Sequence, residues 1–153
     1  MVDVRASDCE WSGALVDDAS LRRVEFRTCR MASMVMTSTK LRHVRFTACK
    51  LDGANFRFLD AEDCVFDECS LVEADFTESA LRRSAFWNCD LRSVEFSKAK
   101  LRGTRFGGSK LEGLRGANAL AGAVIGRDQI LPLALGVFGA LGIVVDDDLS
   151  SPA

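Results

Sequence analysis

Residues 81–106 read LRRSAFWNCDLRSVEFSKAKLRGTRF, and every fifth residue of this stretch is a leucine or a phenylalanine. The same spacing of apolar residues extends from Trp11 to Leu111, and it places eight of the ten phenylalanines in one column. The residue two places before each of them is mostly small, and the other three are mostly polar. A helix repeats about every 3.6 residues and a strand every two, so a period of five fits neither. The chain must therefore turn inward once in every five residues around a common axis.

A second period indicates how many turns close one coil. Five cysteines are spaced by twenty, and leucine and phenylalanine alternate along the apolar column, so each recurs every ten residues. Twenty residues are four groups of five, which predicts a four-sided coil with one pentapeptide on each side. Coils of this kind stack as parallel β-like ladders about 4.8 Å apart. Phenylalanine is then expected on two opposite inner sides, and leucine or methionine on the other two.

Two pentapeptides connect this pattern with a known family. Residues 54–58 (ANFRF) and 74–78 (ADFTE) match the A-(D/N)-L-x-x consensus of the pentapeptide repeat family, and the resemblance covers the chain from Val4 to Arg115. The resemblance implies an all-β solenoid, a right-handed quadrilateral β-helix, over residues 1–116. A C-terminal capping α-helix is expected to cover its last coil, because an open solenoid end must be protected.

The repeat dissolves after Leu114, and residues 117–145 are predicted to form the cap. A helix is expected from about Asp128, with Pro132 in its first turn and Gly142 as its stop. Residues 143–145 (IVV) are predicted to form a short strand, and residues 146–153 a flexible acidic tail. Residues 130–145 carry no charge, but this stretch is shorter than the ~20 residues of a membrane span. A cap is therefore expected here, and no membrane segment.

The predicted cap helix is apolar on nearly all sides, which is more than one contact with a coil requires. The segment resembles the C-terminal cap of bacterial pentapeptide repeat proteins that interact with DNA gyrase, and in those relatives it mediates dimerisation. The resemblance implies a homodimer. The dimer and cap candidates are Ile130, Leu131, Leu133, Val137, Phe138 and Leu141.

Charge is arranged in bands along the repeat. Residues 21–58 contain nine Lys/Arg and two Asp/Glu. Residues 60–78 contain eight Asp/Glu and no Lys/Arg, and residues 81–115 contain nine Lys/Arg and three Asp/Glu. The balances are therefore +7, −8 and +6. Because residues twenty apart stack, one outward column is expected to read Arg22, Arg42, Glu62, Arg82, Arg102. The acidic coil either relieves repulsion within such columns or leaves a charged side that docks a complementary partner.

The neighbouring column places Asp63 between His43 and Arg83, and two aromatic residues stand at outward positions on opposite sides. Exposed aromatic residues often anchor partners, although single ones are also common on surfaces. The candidate partner-binding residues are Arg22, Arg42, Glu62, Asp63, Arg82, Arg102, Phe58 and Trp87.

Enzymatic chemistry finds little support in these residues. The chain has one histidine and no tyrosine, no C-x-x-C pair and no arrangement of a catalytic triad, so we expect no catalytic residue, no metal and no cofactor. Gly107-Gly108 is interpreted as a bend in the repeat and not as a phosphate-binding loop.

A net charge of −2 disfavours direct nucleic-acid binding, although the basic side leaves that alternative open. Met1 is not followed by an apolar leader, so the six cysteines are expected to be reduced in a cytoplasmic protein.

Two functions remain. The first is a non-enzymatic scaffold for protein–protein interaction, with an unknown partner bound on the outer sides of the rod. The second comes from the resemblance: some relatives mimic B-form DNA, bind DNA gyrase or topoisomerase IV, and protect against fluoroquinolones. A DNA mimic needs acids that run along its axis like phosphates, whereas these acids encircle one coil. The scaffold is therefore the preferred hypothesis.

Overall fold

A computed structural model describes residues 1–149, and the predicted right-handed quadrilateral β-helix is confirmed. All strand pairs are parallel, which is the arrangement that a coiling chain produces when it stacks on itself. The strands are β1 (Val2–Ser7), β2 (Ser20–Arg27), β3 (Lys40–Thr47), β4 (Asp60–Glu62), β5 (Val65–Asp67), β6 (Ala80–Arg82) and β7 (Ala85–Trp87). Strands β1, β2 and β3 stack in order, and β3 then pairs with both β4 and β5, which continue to β6 and β7.

The register of twenty residues holds throughout the repeat. Leu21 pairs with Leu41 and Phe26 with Phe46, and isolated bridges continue the same spacing outside the named strands. The predicted bend of the register at residues 107–108 is wrong, because the bridges Asp90–Lys110 and Glu95–Arg115 keep the spacing of twenty beyond these glycines. The register changes only afterwards, where Arg105 pairs with Val124, nineteen residues later.

We number the four sides by their outward residues in the coil of residues 20–39. Side 1 carries residues 20, 22 and 23, side 2 carries 25, 27 and 28, side 3 carries 30, 32 and 33, and side 4 carries 35, 37 and 38. Residues that follow at intervals of twenty lie on the same side, since the coils stack in register. Residues 60–79 form the acidic coil, and residues 100–119 form the last coil before the cap.

Two stacks of phenylalanine rings fill the core. On side 2, the rings at 26, 46, 66, 86 and 106 are stacked with centroids 4.8–5.2 Å apart. On side 4, the rings at 56, 76 and 96 are stacked at 4.8 and 5.3 Å. Edge-to-face contacts of 5.6–6.2 Å join the two stacks across the axis. The predicted placement of phenylalanine on two opposite sides is therefore confirmed.

The small residues of the repeat also supply hydrogen bonds. Cys49 donates from Sγ to the carbonyl oxygen of Phe26 at 3.5 Å, and Ser109 donates from Oγ to that of Phe86 at 3.1 Å. Thr104 makes the same contact with Leu81 at 2.9 Å, again 23 residues earlier. These bonds satisfy carbonyl groups that would otherwise be buried without a partner.

The corners of the coil have left-handed backbone. A residue with positive φ ends every pentapeptide from Asp3 to Gly113, and eighteen of these residues are not glycine, with φ between 47° and 58°. Such a conformation costs an L-residue on the order of 1 kcal/mol. The hydrogen-bonded ladders on both sides of each corner hold it in place. The repeat pattern alone does not reveal this, because glycine occupies only five of these corners.

The N-terminal coil has no separate cap among the described residues. Strand β1 pairs with β2 alone, and the ring of Trp11 packs edge-on against Phe26 with centroids 5.4 Å apart. Leu15 lies 74% exposed in this coil. The apolar interior is thus covered at this end chiefly by the first coil itself.

The C-terminal end is covered as predicted. Short 3-10 helices at Ala117–Leu120 and Arg127–Gln129 lead into α1 (Ile130–Ala140), and Gly142 follows with a φ of 72°. Leu133 is buried against the last coil. None of the helices within residues 1–149 is both long and apolar enough to cross a bilayer.

The strand predicted at residues 143–145 is not formed. A strand needs a neighbour to satisfy its backbone, and these residues lie exposed beyond the helix without one. Ile143 instead donates its backbone N–H to the carbonyl oxygen of Phe138 at 2.8 Å, which closes the end of α1. Residues 147–149 form a turn, and residues 150–153 of the predicted acidic tail lie outside the described residues.

Candidate interaction surfaces

Side 1 contains the predicted charge column, and its middle part is neutralised. Glu62 lies between Arg42 and Arg82 in register, with N–O distances of 3.4 and 3.7 Å. Asp60 joins the same two arginines, each at 2.7 Å. The acidic coil therefore binds the basic coils on both of its neighbouring levels.

The adjacent corner column repeats the arrangement. Arg83 donates from Nε and a terminal nitrogen to the two carboxylate oxygens of Asp63, both at 2.9 Å, and it also contacts Glu62. His43 approaches Asp63 from the preceding coil at 3.8 Å. The hydrogen bonds from Arg83, reinforced by its charge, lower the pKa of Asp63 against the opposing effect of desolvation. These contacts favour the interpretation that the acidic coil relieves repulsion within the columns.

The two ends of the side 1 column differ from its middle part, because their basic residues have no ion pair among residues 1–149. Among residues 1–149, neither Arg22 nor Arg102 has an acidic partner within 4.0 Å, and the same holds for the neighbouring Lys40 and Lys100. Arg22 and Lys40 line a cleft of about 440 Å³ on side 1. The column thus presents free positive charge at its two ends and a neutralised network between them. Within the described part of the chain, the other Lys/Arg residues without an ion pair are Lys50, Arg105, Lys110 and Arg127.

The two outward aromatic residues are exposed as predicted. Phe58 is 47% exposed on side 4, where the guanidinium of Arg57 lies 5.8 Å from its ring centroid. Trp87 is 37% exposed on side 2, and its ring covers Gly107 in the next coil so closely that a Cβ there would lie 2.1 Å from it. Gly107 follows Trp87 by twenty residues, which is the signal that could have predicted this contact. The role of either residue in binding stays a prediction.

The cap presents an apolar surface, but the candidate residues divide between two environments. Leu133 is only 5% exposed, because it packs on the last coil, and it is therefore unavailable to a second copy. Val137 is also partly buried there. Ile130, Leu131, Phe138 and Leu141 are exposed, and α1 forms one wall of an apolar groove of about 500 Å³.

Sequence reasoning missed part of this surface. Leu135 is 70% exposed on α1, and Val144 is 84% exposed beyond it. The helical pattern does not distinguish exposed from buried residues here, because apolar side chains surround the helix. The contact of Leu133 with the coil decides which residues face solvent.

The interior of the described residues is packed with side chains. No group of three His, Cys, Asp or Glu side chains within residues 1–149 could hold a metal ion, and the core is filled by stacked rings. The six cysteines are free, and five of them are buried. Burial raises the pKa of the Cys64 thiol to about 11, which suppresses its reactive thiolate.

Known proteins resemble this chain in its repeat. The family described as a pentapeptide repeat region matches residues 44–115, while no curated protein matches the chain. A pentapeptide repeat protein of the Arabidopsis thaliana thylakoid lumen is 15% identical, with a TM-score of 0.61 over 65% of this chain and 69% of that chain. This likeness shows the fold.

Two further solved structures align over more of the chain but superpose less well. QnrB1, a plasmid-mediated fluoroquinolone resistance protein in a trypsin-treated form, is 16% identical, with a TM-score of 0.37 over 95% of this chain and 99% of that chain. HetL from the cyanobacterium Nostoc sp. strain PCC 7120 is 13% identical, with a TM-score of 0.36 over 81% and 86%. The five-residue repeat, the family match and the four-sided coil agree, and residues 44–115 of this chain form a pentapeptide repeat region.

Proposed function

We propose that this protein is a non-enzymatic scaffold that binds a partner protein on the outer sides of its β-helix. The observation that carries the proposal is the free positive charge at the two ends of the side 1 column. Arg22 and Lys40 at one end, and Lys100 and Arg102 at the other, have no acidic partner among residues 1–149. The charges between them are paired within the chain, so on side 1 these four residues remain free to attract a partner.

The geometry of side 1 suits recognition by charge. The ladder holds residues twenty apart at successive levels, so the spacing of the basic residues is set by the backbone and not by flexible loops. Preorganised charges of this kind steer an oppositely charged partner and add specificity. The partner expected on side 1 is therefore a protein with an acidic surface. A cytoplasmic location is part of the proposal, since a reducing compartment keeps the free cysteines unpaired.

Charge reversal tests the side 1 proposal. The double variant Arg22→Glu/Lys40→Glu is compared with Lys50→Glu/Lys110→Glu, which changes the charge equally at unpaired residues of side 3. Proteins that bind the wild-type protein in affinity capture, followed by purified binding assays, are expected to lose binding only to the first variant. Equal binding by both variants would remove side 1 from the proposal.

We further propose that the protein forms a homodimer through α1 and the residues that follow it. Leu131 is 86% exposed, and the exposed apolar residues of α1 continue beyond its end. A contiguous apolar surface of this kind commonly marks an interface. The exposed residues of the proposed interface are Ile130, Leu131, Leu135, Phe138, Leu141, Ile143 and Val144.

Light scattering coupled to gel filtration tests the dimer. The variant Leu131→Asp/Leu135→Asp is expected to be a folded monomer, whereas the wild-type protein elutes as a dimer. Leu15→Asp is the matched control, because Leu15 is an exposed leucine at the other end of the rod. A wild-type protein that is monomeric at about 100 μM would contradict the proposal.

DNA mimicry is the alternative, and the ion pairs weaken it. Six of the eight acids in the acidic coil contact a basic side chain within 4.0 Å, so little of their charge is free to imitate phosphates. A supercoiling assay with DNA gyrase, with and without a fluoroquinolone, separates the two functions. Inhibition or drug protection at micromolar concentration would favour DNA mimicry, and the absence of both with folded protein would favour the scaffold.

A further inference from the structure

Side 2 contains a cleft that the proposed function does not use. It lies between the coil of residues 80–99 and the last coil, with a volume of about 310 Å³. Its lining residues are Arg83, Ser84, Ala85, Trp87, Gly103 and Arg105. The cleft combines an exposed indole ring, small residues and two guanidinium groups.

Glycines of the last coil create this cleft. Gly107 has no side chain, so the ring of Trp87 extends over it to the level of the last coil. Gly103 stands at the corner below Arg83, and nothing lies within 4 Å of the position that its Cβ would occupy. Ala85, which stacks on Arg105 in register, is small. The Trp87 ring and the Arg105 side chain thus stand beside each other on the outside of one level, since residues 105 and 107 both point outward.

The charges of the cleft are not balanced. Arg83 is bound by Glu62 and Asp63, whereas Arg105 has no acidic partner among residues 1–149. Lys100 and Arg102 lie around the adjacent corner and are likewise unpaired within the described residues. A ligand that reaches Arg105 therefore meets a positive potential beside an apolar ring.

We propose that this Trp87–Arg105 cleft binds a short acidic segment of a partner protein. One carboxylate of the segment pairs with the guanidinium of Arg105, and the adjacent apolar side chain packs on the exposed part of the Trp87 ring. A charge-assisted hydrogen bond next to a half-exposed aromatic surface is a common anchor in protein recognition. The inference rests on the scaffold function and names the chemistry of a second surface for it.

The surroundings favour a short segment over a nucleic acid. Asp67 lies one coil before Trp87 in the same column and is paired with Arg45 at 3.8 Å, whereas Glu68, at the adjacent corner, has no ion pair among residues 1–149. A nucleic acid carries a negative charge at each nucleotide, so a strand that continues past the cleft along the rod meets the acidic coil. A peptide with a single carboxylate at Arg105 avoids this repulsion.

Tryptophan fluorescence tests the proposal directly. In a Trp11→Phe background, Trp87 is the single tryptophan and reports on the cleft. The probe is the peptide acetyl-Ala-Leu-Glu-Leu-Ala-amide, which carries a single carboxylate, and its glutamine counterpart, acetyl-Ala-Leu-Gln-Leu-Ala-amide, is the control. We expect a saturable change in Trp87 emission with the acidic peptide alone. Arg105→Gln should weaken binding by about tenfold or more, and added salt should weaken it further.

Matched variants distinguish the cleft from general charge attraction. Lys110→Gln removes an equal charge from side 3 of the same coil, and it should change affinity less than about twofold. Calorimetry with Trp87→Ala and Phe58→Ala compares the two exposed aromatic residues, and only the first should weaken binding. The proposal is overturned if Lys110→Gln and Arg105→Gln weaken binding equally, or if no saturation occurs at about 2 mM peptide.

A five-nucleotide oligothymidylate is titrated in parallel. If it binds more tightly than the acidic peptide, the cleft recognises nucleic acid and the proposal is wrong. None of these outcomes tests Arg22, Lys40 or the dimer, because Arg22, Lys40 and α1 are unchanged in every variant. Failure of the cleft would therefore leave the scaffold proposal standing, and the charge-reversal variants would test it separately.

Discussion

Gln129 donates from Nε2 to the backbone carbonyl oxygen of Ser109 at 2.8 Å, and the two residues are twenty positions apart. The same amide also donates to the carbonyl oxygen of Phe106, which lies 23 residues earlier. Within the repeat, the buried cysteines and Ser109 likewise donate to the carbonyl oxygen of the residue 23 positions before them. Gln129 therefore occupies the next position of the column that contains Cys89 and Ser109. The cap is joined to the solenoid by continuing its hydrogen-bond pattern, although the five-residue repeat has already ended.

Replacing Gln129 by leucine should destabilise the protein by about 1–3 kcal/mol. The substitution leaves the carbonyl oxygen of Ser109 without a donor, and it leaves that of Phe106 with only the backbone N–H of Ser109 at 3.3 Å, while the side chain keeps a similar volume. Urea unfolding followed by circular dichroism measures the change. Asn118→Leu is the control, since Asn118 is an exposed amide residue of the same cap. A Gln129→Leu protein as stable as this control would contradict the assigned role.

Phe66 provides the sharpest test of the core. Its ring is fully buried and lies 4.8 Å from both Phe46 and Phe86. Phe66→Ala should cost about 3–5 kcal/mol because it leaves a cavity in the stack. Phe66→Asp should unfold the rod cooperatively, since it places a charge without a partner in the core. Phe58→Asp should change the melting temperature little, because Phe58 is exposed, and a Phe66→Asp protein with an unchanged melting curve would refute the inward position.

Acid should weaken the ion-pair network through Asp63. Hydrogen bonds and charge from Arg83 hold the folded-state pKa of this carboxyl below its ordinary value, so the contribution to stability is present above the unfolded pKa of about 4. It is lost as the pH falls through the folded pKa. Asp63→Asn should therefore lose less stability than the wild-type protein between neutral pH and about pH 3.

The control for this measurement is Asp18→Asn. Asp18 is also a corner aspartate, with a φ of 48° compared with 53° at Asp63, so asparagine fits both positions equally well. Denaturant unfolding across the acidic range gives the comparison. Identical pH profiles for Asp63→Asn and the wild-type protein would mean that the Arg83 contact adds nothing to stability.

Thiol accessibility should follow burial. Cys9 is partly exposed and the other five cysteines are buried, while burial raises the pKa of the Cys64 thiol to about 11. Iodoacetamide at about pH 8 should therefore modify Cys9 first in the native protein and all six after unfolding. Mass spectrometry of the timed reaction counts the adducts. Fast modification of two or more cysteines in the native protein would show that the coils open.

Gly107→Ala should displace the Trp87 ring. An added Cβ would lie 2.1 Å from the ring, and the side chain must move outward to make room. In the Trp11→Phe background, the Trp87 emission should shift to the red as the ring becomes more exposed. Gly103→Ala is the control, because nothing lies within 4 Å of its Cβ position. Gly103, unlike Gly107, has a positive φ of 78°, so alanine strains the backbone there without contacting the Trp87 ring. An unchanged spectrum for Gly107→Ala would contradict the close contact.

The repeat predicts most of this fold because its pattern is strictly periodic. The column of Phe66 and its neighbours, the stacking of Glu62 between two arginines, and the outward positions of Phe58 and Trp87 all follow from intervals of five and twenty. The inward position of Gln129 also follows from the interval of twenty, because Gln129 lies twenty residues after Ser109. The sequence analysis did not predict it, because the five-residue pattern ends after Leu114.

Other features could not be read from the pattern for physical reasons. The left-handed corners are held by the ladders around them, so residues such as His43 occupy them without a local signal. The strand predicted at residues 143–145 has no neighbour to pair with in a single chain. The burial of Leu133 depends on how α1 packs against the coil, which hydrophobicity on all sides of a helix does not specify.

The uniform register also determines how this protein tolerates changes of length. Removing one pentapeptide would rotate every later residue by a quarter turn, which would separate Arg22 from Arg102 and move the Trp87–Arg105 cleft to another side. Adding or removing twenty residues within the repeat would change the length of the rod by one coil and leave every side in place. A duplicated coil could therefore alter the distance between two binding surfaces without altering their orientation.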